Sequence, residues 1–256
     1  MVTCKLKGGL GNQMFQIAST IGYGIKNDIP YKIPAQKYFS NLPTLQNDDK
    51  IEYVYKEKQH SYQDIPFKNN ICLDGYFQTE KYFNSYRQQI INAFNIQPIT
   101  NKGVTSIHVR RGDYIKEGSN RFPVIDNDYI SKSISYLNNN VYNNFLVFSD
   151  DIEWCKNNIN SEIYNNSNFK YSENKNEIQD LELMSGCENN VISNSTFSWW
   201  GAWLNNNSNK IVIAPKKWFG SELNLDSSDI CPDNWIRING KEVVNSISNN
   251  YCTIYF

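Results

Sequence analysis

Two guanidinium groups stand side by side in His108-Val-Arg-Arg-Gly-Asp-Tyr114, at the end of a run of β-type residues. A guanidinium stays charged at any working pH and offers planar, bidentate donors, so Arg110 and Arg111 suit recognition of a phosphate. The plainer use of either arginine is an ion pair that braces its own loop, with Asp113 as a partner. His108, one of 2 histidines in the chain, alternates with Arg110 along the strand, so both side chains can face one side. A buried core histidine is the ordinary reading of such a residue, and its place beside the arginine favours a ligand role.

Three more polar clusters follow β-type runs. Asn194-Ser-Thr196 precedes an apolar segment, which makes Ser195 and Thr196 helix caps. A helix start also turns free N–H groups and a positive dipole end toward an anion, so capping and phosphate binding are compatible there. Ser149-Asp-Asp151 ends another run. The turn GGLGN at 8–12 lacks the Lys-Ser/Thr of a P-loop, but its glycines permit close approach of a ligand, with Asn12 reaching in from the helix start. Trp199, Trp200 and Trp203 fall at helical spacing and read as core.

The elements that must carry these clusters alternate. Strands are expected at 2–6, 104–109, 145–151, 190–193 and 210–215, with a brief one at 169–171. Helices are expected at 13–26, 128–139, 152–158, 177–187 and 197–204. Residues 30–100 are aromatic-rich, punctuated by Pro34, Pro43, Pro66 and Pro98, and show no clear pattern. The alternation predicts an α/β chain with a parallel, doubly wound sheet, and the strand–glycine–helix opening predicts a second sheet of that kind. Two such sheets facing each other across a cleft, divided near residue 100, is the arrangement this implies. Ligands of open parallel sheets bind beyond the carboxyl ends of the strands, where all four clusters fall.

Composition narrows the functional classes. With 256 residues, 40% of them apolar and a net charge of −1, the chain is large enough for real cores and carries no broad basic field for nucleic acid. No stretch approaches the roughly 18 apolar residues of a membrane span. The start MVTCKLKGG lacks the apolar core of a signal peptide, so a cytoplasmic protein is expected, with peripheral membrane association left open. Cysteines 4, 72, 155, 187, 231 and 252 are scattered and read as buried small hydrophobes. Sequons at Asn165, Asn194 and Asn206 are what so much Asn and Ser yields by chance.

GGLGNQMFQ (8–16), HVRRGDY (108–114), FSDD…W (148–154) and SNSTFSWWGAWL (193–204), in that order, closely resemble the α-1,2-fucosyltransferases. More distantly the chain is similar to protein O-fucosyltransferases and to the α-1,6-fucosyltransferases of N-glycan cores. The resemblance implies a GT-B architecture of two Rossmann-like domains, an acceptor-side domain at 1–103 and a GDP-fucose-binding domain at 104–256. It implies inverting, metal-independent transfer of L-fucose from GDP-β-L-fucose to the 2-hydroxyl of a galactose-type glycan acceptor, with no cofactor. Arg110 then matches the arginine that grips the β-phosphate, His108 a histidine on the nucleoside side, and Arg111 a bracing neighbour. Asp180 matches an acid that accepts from guanine N1–H and the exocyclic amine. Ser195, Thr196 and Phe197 match the phosphate-cradling turn, and Asn12 a donor-proximal asparagine. Asp150 and Asp151 sit where relatives vary. Two departures stand out: the chain is short, which leaves the acceptor open, and Glu188-Asn189 stands where many relatives carry a histidine.

For catalysis, Arg110 and the backbone amides of the Asn194–Thr196 turn are expected to stabilise the leaving GDP. Glu117 is the expected general base, near the position where distant relatives place a catalytic Glu, and Asp113 is expected to brace Arg111; some relatives manage without a dedicated base. The alternatives are a GT-B transferase using another sugar nucleotide and an inactive glycan- or nucleotide-binding relative.

Overall fold

The computed structural model describes residues 1–173, 176–240 and 243–244, which leaves Cys252 outside the described residues. The chain divides into two compact units, Met1–Gln97 with Leu225–Pro232, and Pro98–Asn224 with the residues from Asp233 onward.

The first unit is built on β1 (Val2–Cys4), α1 (Leu10–Lys26), β2 (Tyr53–Lys56), β3 (Ile71–Asp74) and α2 (Arg87–Phe94). Its three strands are parallel in the order β1-β3-β2. Helix α1 starts three residues before the expected Gln13, inside the glycine cluster. Only Gly8, at φ +78°, and Gly9 make the turn, and Leu10 to Asn12 already form the first helical turn. The expected strand 2–6 likewise stops at Cys4.

The second unit runs β4 (Asn101–Val109), α3 (Gly112–Glu117), α4 (Asn127–Asn139), β5 (Asn144–Ser149), α5 (Ile152–Asn158), β6 (Asn168–Tyr171), α6 (Glu177–Ser185), β7 (Cys187–Val191), α7 (Thr196–Leu204), β8 (Val212–Pro215), β9 (Ile236–Ile238) and β10 (Val243–Val244). The seven strands lie in the order β10-β9-β8-β7-β4-β5-β6, all parallel except β10, which runs antiparallel to β9. From β6 to β9 this is the doubly wound order 3-2-1-4-5-6 counted from β4, so the strand order reverses between β4 and β7.

One face of that sheet is apolar. Ile107 and Val109 of β4, Phe145 and Val147 of β5, Val191 and Ile213 pack with Ile130, Ile134 and Leu137 of α4 and Cys155 of α5. The other face is polar at its centre: Asn190 Nδ2 donates to Ser106 Oγ at 2.7 Å and to Met184 O of α6 at 2.8 Å. Helix α7 lies against α6, with Gly201 close enough to Met184 that a Cβ there would sit 2.8 Å from the Met184 Cβ. Trp199, Trp200 and Trp203 are core residues in mutual ring contact.

The expected helix 177–187 ends at Ser185, and Cys187 opens β7 two residues later. Gly186 ends it because the backbone of Ile99 runs against it; a Cβ there would lie 1.9 Å from Ile99 O. The strand expected at 190–193 is accordingly shifted back, to Cys187–Val191. That at 145–151 ends at Ser149; Asp150 and Asp151 turn away from the sheet, and Asp151 caps α5. The five described cysteines are buried free thiols. Among the described residues no helix is long and apolar enough to cross a membrane.

Candidate active site

The loops after β4 and β7 meet at the strand reversal. His108, next to last in β4, is buried, and its Nδ1 lies 2.8 Å from Ser193 Oγ, two residues past β7. Its ring stands 5.7 Å from that of Phe197 in α7. Burial, reinforced by the Arg110 charge and opposed by Asp150, pushes the imidazole down to about 3, so it is neutral at any ordinary pH. A second tie joins the same loops: Tyr114 Oη donates to Asn194 O at 2.8 Å.

Arg110 leaves the strand toward carboxylates on two sides. Its Nε donates to Asp113 Oδ1 at 2.8 Å, and its Nη1 lies 3.1 Å from Asp150 Oδ2. Two of its five N–H donors are so engaged, and with the side chain 36% exposed the guanidinium keeps donors for an anion. Asp150 also fixes the loop itself, accepting from Arg111 N at 2.9 Å and Gly112 N at 3.1 Å. Glycine at 112 makes room for this carboxylate, since a Cβ would sit 2.8 Å from Asp150 Oδ2.

Asp113 does not brace Arg111, as the sequence suggested. It pairs with Arg110 three residues before it, while Arg111 turns to the start of α5. There Arg111 Nε donates to Asp151 Oδ2 at 3.0 Å and its guanidinium lies 3.8 Å from the centre of the Trp154 ring. Asp151 meanwhile caps α5 through Trp154 N at 3.2 Å. Successive residues at a strand end point opposite ways, which sends the two arginines to different partners. Burial of Asp113 raises its carboxyl, but the hydrogen bond and charge of Arg110 outweigh this and hold it below the usual carboxylate range.

Across the reversal, Ser195 caps α7, its side chain accepting from Phe197 N, and Ser198 Oγ donates to Ser195 O at 3.2 Å. Thr196 opens the helix, so backbone N–H groups of its first turn face the rim beside Arg110's strand. Asp180 sits in the first turn of α6, half-buried, accepting from Ser172 Oγ at 2.7 Å just past β6. Strands β4 and β6 flank β5, which places their ends about 10 Å apart. Glu117, at the end of α3, pairs with Arg121 at 2.5 Å and is 46% exposed; it lies one helical turn beyond Asp113 on the same helix face.

Asn12 belongs to the first unit. Its Oδ1 accepts from Gln78 Nε2 at 2.8 Å, at the carboxyl rim of that unit's sheet. Sequence reasoning missed Gln78, Tyr114 and Ser193 as supporting groups; only the last was within reach, through its place at the end of NVIS. The Glu188-Asn189 departure falls inside β7, where Asn189 Oδ1 takes the N–H of Ile211 at 2.8 Å. Among the described residues no three His, Cys, Asp or Glu side chains converge to hold a metal ion.

The sheet defines the class: a doubly wound α/β protein, whose ligands bind at the carboxyl rim where the strand order reverses. Within that class the chain belongs to Glycosyl transferase family 11, whose family model matches residues 1–239. It is 31% identical to the alpha-1,2-colitosyltransferase of Escherichia coli, over 93% of this chain and 99% of that protein. It is 37% identical to the O-antigen biosynthesis glycosyltransferase WbnK of Escherichia coli over 68% of this chain, and spans 63% of that relative's length. Among solved structures it resembles in fold an Arabidopsis thaliana FUT1 mutant in complex with GDP, with a TM-score of 0.52 over 91% of this chain and 72% of that one, at 11% identity.

Proposed function

We propose that this protein transfers L-fucose from GDP-β-L-fucose to the 2-hydroxyl of a galactose-type glycan acceptor, inverting the anomeric centre and using no metal. One observation carries the reading. Arg110 and the start of α7 stand on adjacent strands at the reversal of a doubly wound sheet, next to a neutral His108. The family match, the α-1,2 named for the colitosyl relative and the likeness of the four motif blocks to α-1,2-fucosyltransferases support the chemistry.

In this reading the diphosphate docks on Arg110 and on the N–H groups of Ser195 and Thr196, His108 and the Phe197 ring beside it line the nucleoside side, and Asp180 accepts from the guanine edge. A nucleoside diphosphate is long enough to reach from the end of β4 to the end of β6. As the bond from the fucose anomeric carbon to the β-phosphate oxygen breaks, its electron pair goes to GDP, where the guanidinium and the amides hold the charge. The acceptor oxygen attacks from the opposite face and its proton leaves to Glu117, with Asp113 keeping Arg110 in place. The acceptor is taken by the first unit, and Asn12 contributes from its glycine turn.

Incubation with GDP-fucose and a panel of galactosides, with the linkage read by NMR, tests the proposal. A fucosyl-α-1,2-galactoside product is expected. Hydrolysis only, or another linkage, would refute it. A second reading, a colitosyl group in place of fucosyl, is favoured by the relative matched along 99% of its length. Running the same panel with a colitosyl donor separates the two.

A further inference from the structure

The loop after β3 is held in a costly conformation. Phe77 has φ +51°, the left-handed region that a phenylalanine adopts only when its surroundings impose it. Two things impose it. The ring is fully buried, edge-on to Tyr82 at 5.4 Å, and both oxygens of Glu57 accept backbone N–H groups, from Tyr76 at 2.6 Å and Phe77 at 2.9 Å. Gly75 lets the carboxylate in, since a Cβ there would lie 2.4 Å from that of Glu57.

What this conformation delivers is the next residue. Gln78 is 6% exposed, and its Nε2 donates to Asn12 Oδ1 at 2.8 Å across 66 residues of sequence. With its oxygen so occupied, the Asn12 carboxamide lies with its nitrogen over Gly8; a Cβ at Gly8 would come within 2.5 Å of that Nδ2. Gly8, bare and at φ +78°, leaves room for the amide, and the bond from Gln78 sets which of its ends faces the glycine.

We infer that Gln78 is a positioning residue: held by the Glu57-clamped loop, it fixes Asn12 so that the NH2 group and not the oxygen meets the substrate. The class of ligand group is then an acceptor of hydrogen bonds, a phosphate or sugar oxygen of the donor. This rests on the reading that Asn12 touches the donor.

The test uses the full chain and three variants, with donor KM, kcat and Tm measured for each. In Gln78→Glu the two side chains can still hydrogen-bond, but only with the Asn12 NH2 turned toward the new carboxylate. Burial raises a carboxyl, so the kinetics are read at alkaline pH, where the new side chain is ionised. Donor KM should rise about 10-fold or more, the loss expected for a hydrogen bond to a charged group, while the buried charge lowers Tm without unfolding the protein at the assay temperature. A Gln78 that served structure alone would leave donor KM where it was. Asn12→Ala should raise donor KM as well. If it does and Gln78→Glu does not, the positioning role is overturned and the reading of Asn12 stands. If Asn12→Ala changes nothing, both fall. Should Gln78→Glu fail to fold, Asn12→Asp decides. It keeps an oxygen for Gln78 and puts a carboxylate where the NH2 was, and an unchanged donor KM there overturns the inference.

Discussion

Nη1 of Arg110 lies 3.1 Å from Oδ2 of Asp150, and the same carboxylate takes the backbone N–H groups of Arg111 and Gly112. One side chain on the loop after β5 thus fixes both the guanidinium and the backbone after β4. Asp150→Ala should cost about 1–3 kcal/mol, two modest hydrogen bonds and part of an ion pair, and lower Tm by a few degrees. Transfer should fall further than stability, because Arg110 loses one of its two anchors. Gly112→Ala, which pushes a methyl group against Asp150, should shift both quantities the same way by less. Thermal melts with donor kinetics on the two variants check this.

The two arginines should separate cleanly. Arg111 is 16% exposed, paired with Asp151 and stacked on Trp154, so Arg111→Ala removes about 1–3 kcal/mol of stability by urea unfolding. Arg110→Ala should leave urea stability nearly intact and cut kcat by about 10²–10³, the scale for removing an electrostatic stabiliser of a leaving group. Equal stability losses in both would contradict the division of labour.

His108 makes stability depend on pH. It titrates at about 3 in the folded protein, against the ordinary value of 6.5 that applies to the unfolded chain. Between those values the unfolded chain binds a proton that the native protein does not. Stability is therefore complete above about 6.5 and declines as pH falls toward 3, by an amount on the order of a few kcal/mol. His60, also held below its ordinary value by burial against the pull of Gln78 and Asp226, adds to the same slope. His108→Gln should flatten the fall without abolishing it, as urea midpoints between pH 4 and 7 would show. An unchanged slope would contradict a buried, neutral His108.

Glu117 and Asp113 share a face of α3 but have different partners, Arg121 and Arg110. Glu117→Gln should lower kcat with donor KM kept if Glu117 takes the acceptor proton as proposed. Asp113→Asn should act through Arg110 and raise donor KM. Initial rates at varied donor concentration tell them apart, and a Glu117→Gln enzyme at full kcat would remove it as the base.

Much of the second unit was legible because its central strands are largely buried on both faces and several of its helices are amphipathic, as VTSIHV and EIQDLELM illustrate. The regular alternation gave the sheet class, and the chemistry-bearing clusters fell at strand ends as such a sheet requires. The first unit was harder to read. Strand β2 is an edge strand with Tyr53 and Val54 exposed, so no hydrophobic alternation marks it, and β3 is only Ile71–Asp74. Helix α3 was hidden in RRGDYIKE because its cap is a side chain 38 residues away, Asp150 on Gly112 N. The Arg111–Asp151 pair was invisible for the same reason: a partner at the start of α5, 40 residues on, leaves no local spacing. Gln78 carried no signal at all, being one glutamine in an unpatterned stretch.

Asp180→Ala tests the nucleoside end. Loss of the carboxylate should weaken GDP and leave the binding of UDP and ADP little changed. A thermal-shift panel of the three nucleotides checks this, and unchanged preference for GDP would remove Asp180 from the site.

The most direct test is calorimetric titration of GDP and of guanosine into the protein and into Arg110→Ala. The variant should bind GDP at least about 10-fold more weakly, the loss of a charge-assisted contact, while guanosine binds both alike. Equal GDP affinity in the two proteins would contradict the docking of the diphosphate on Arg110.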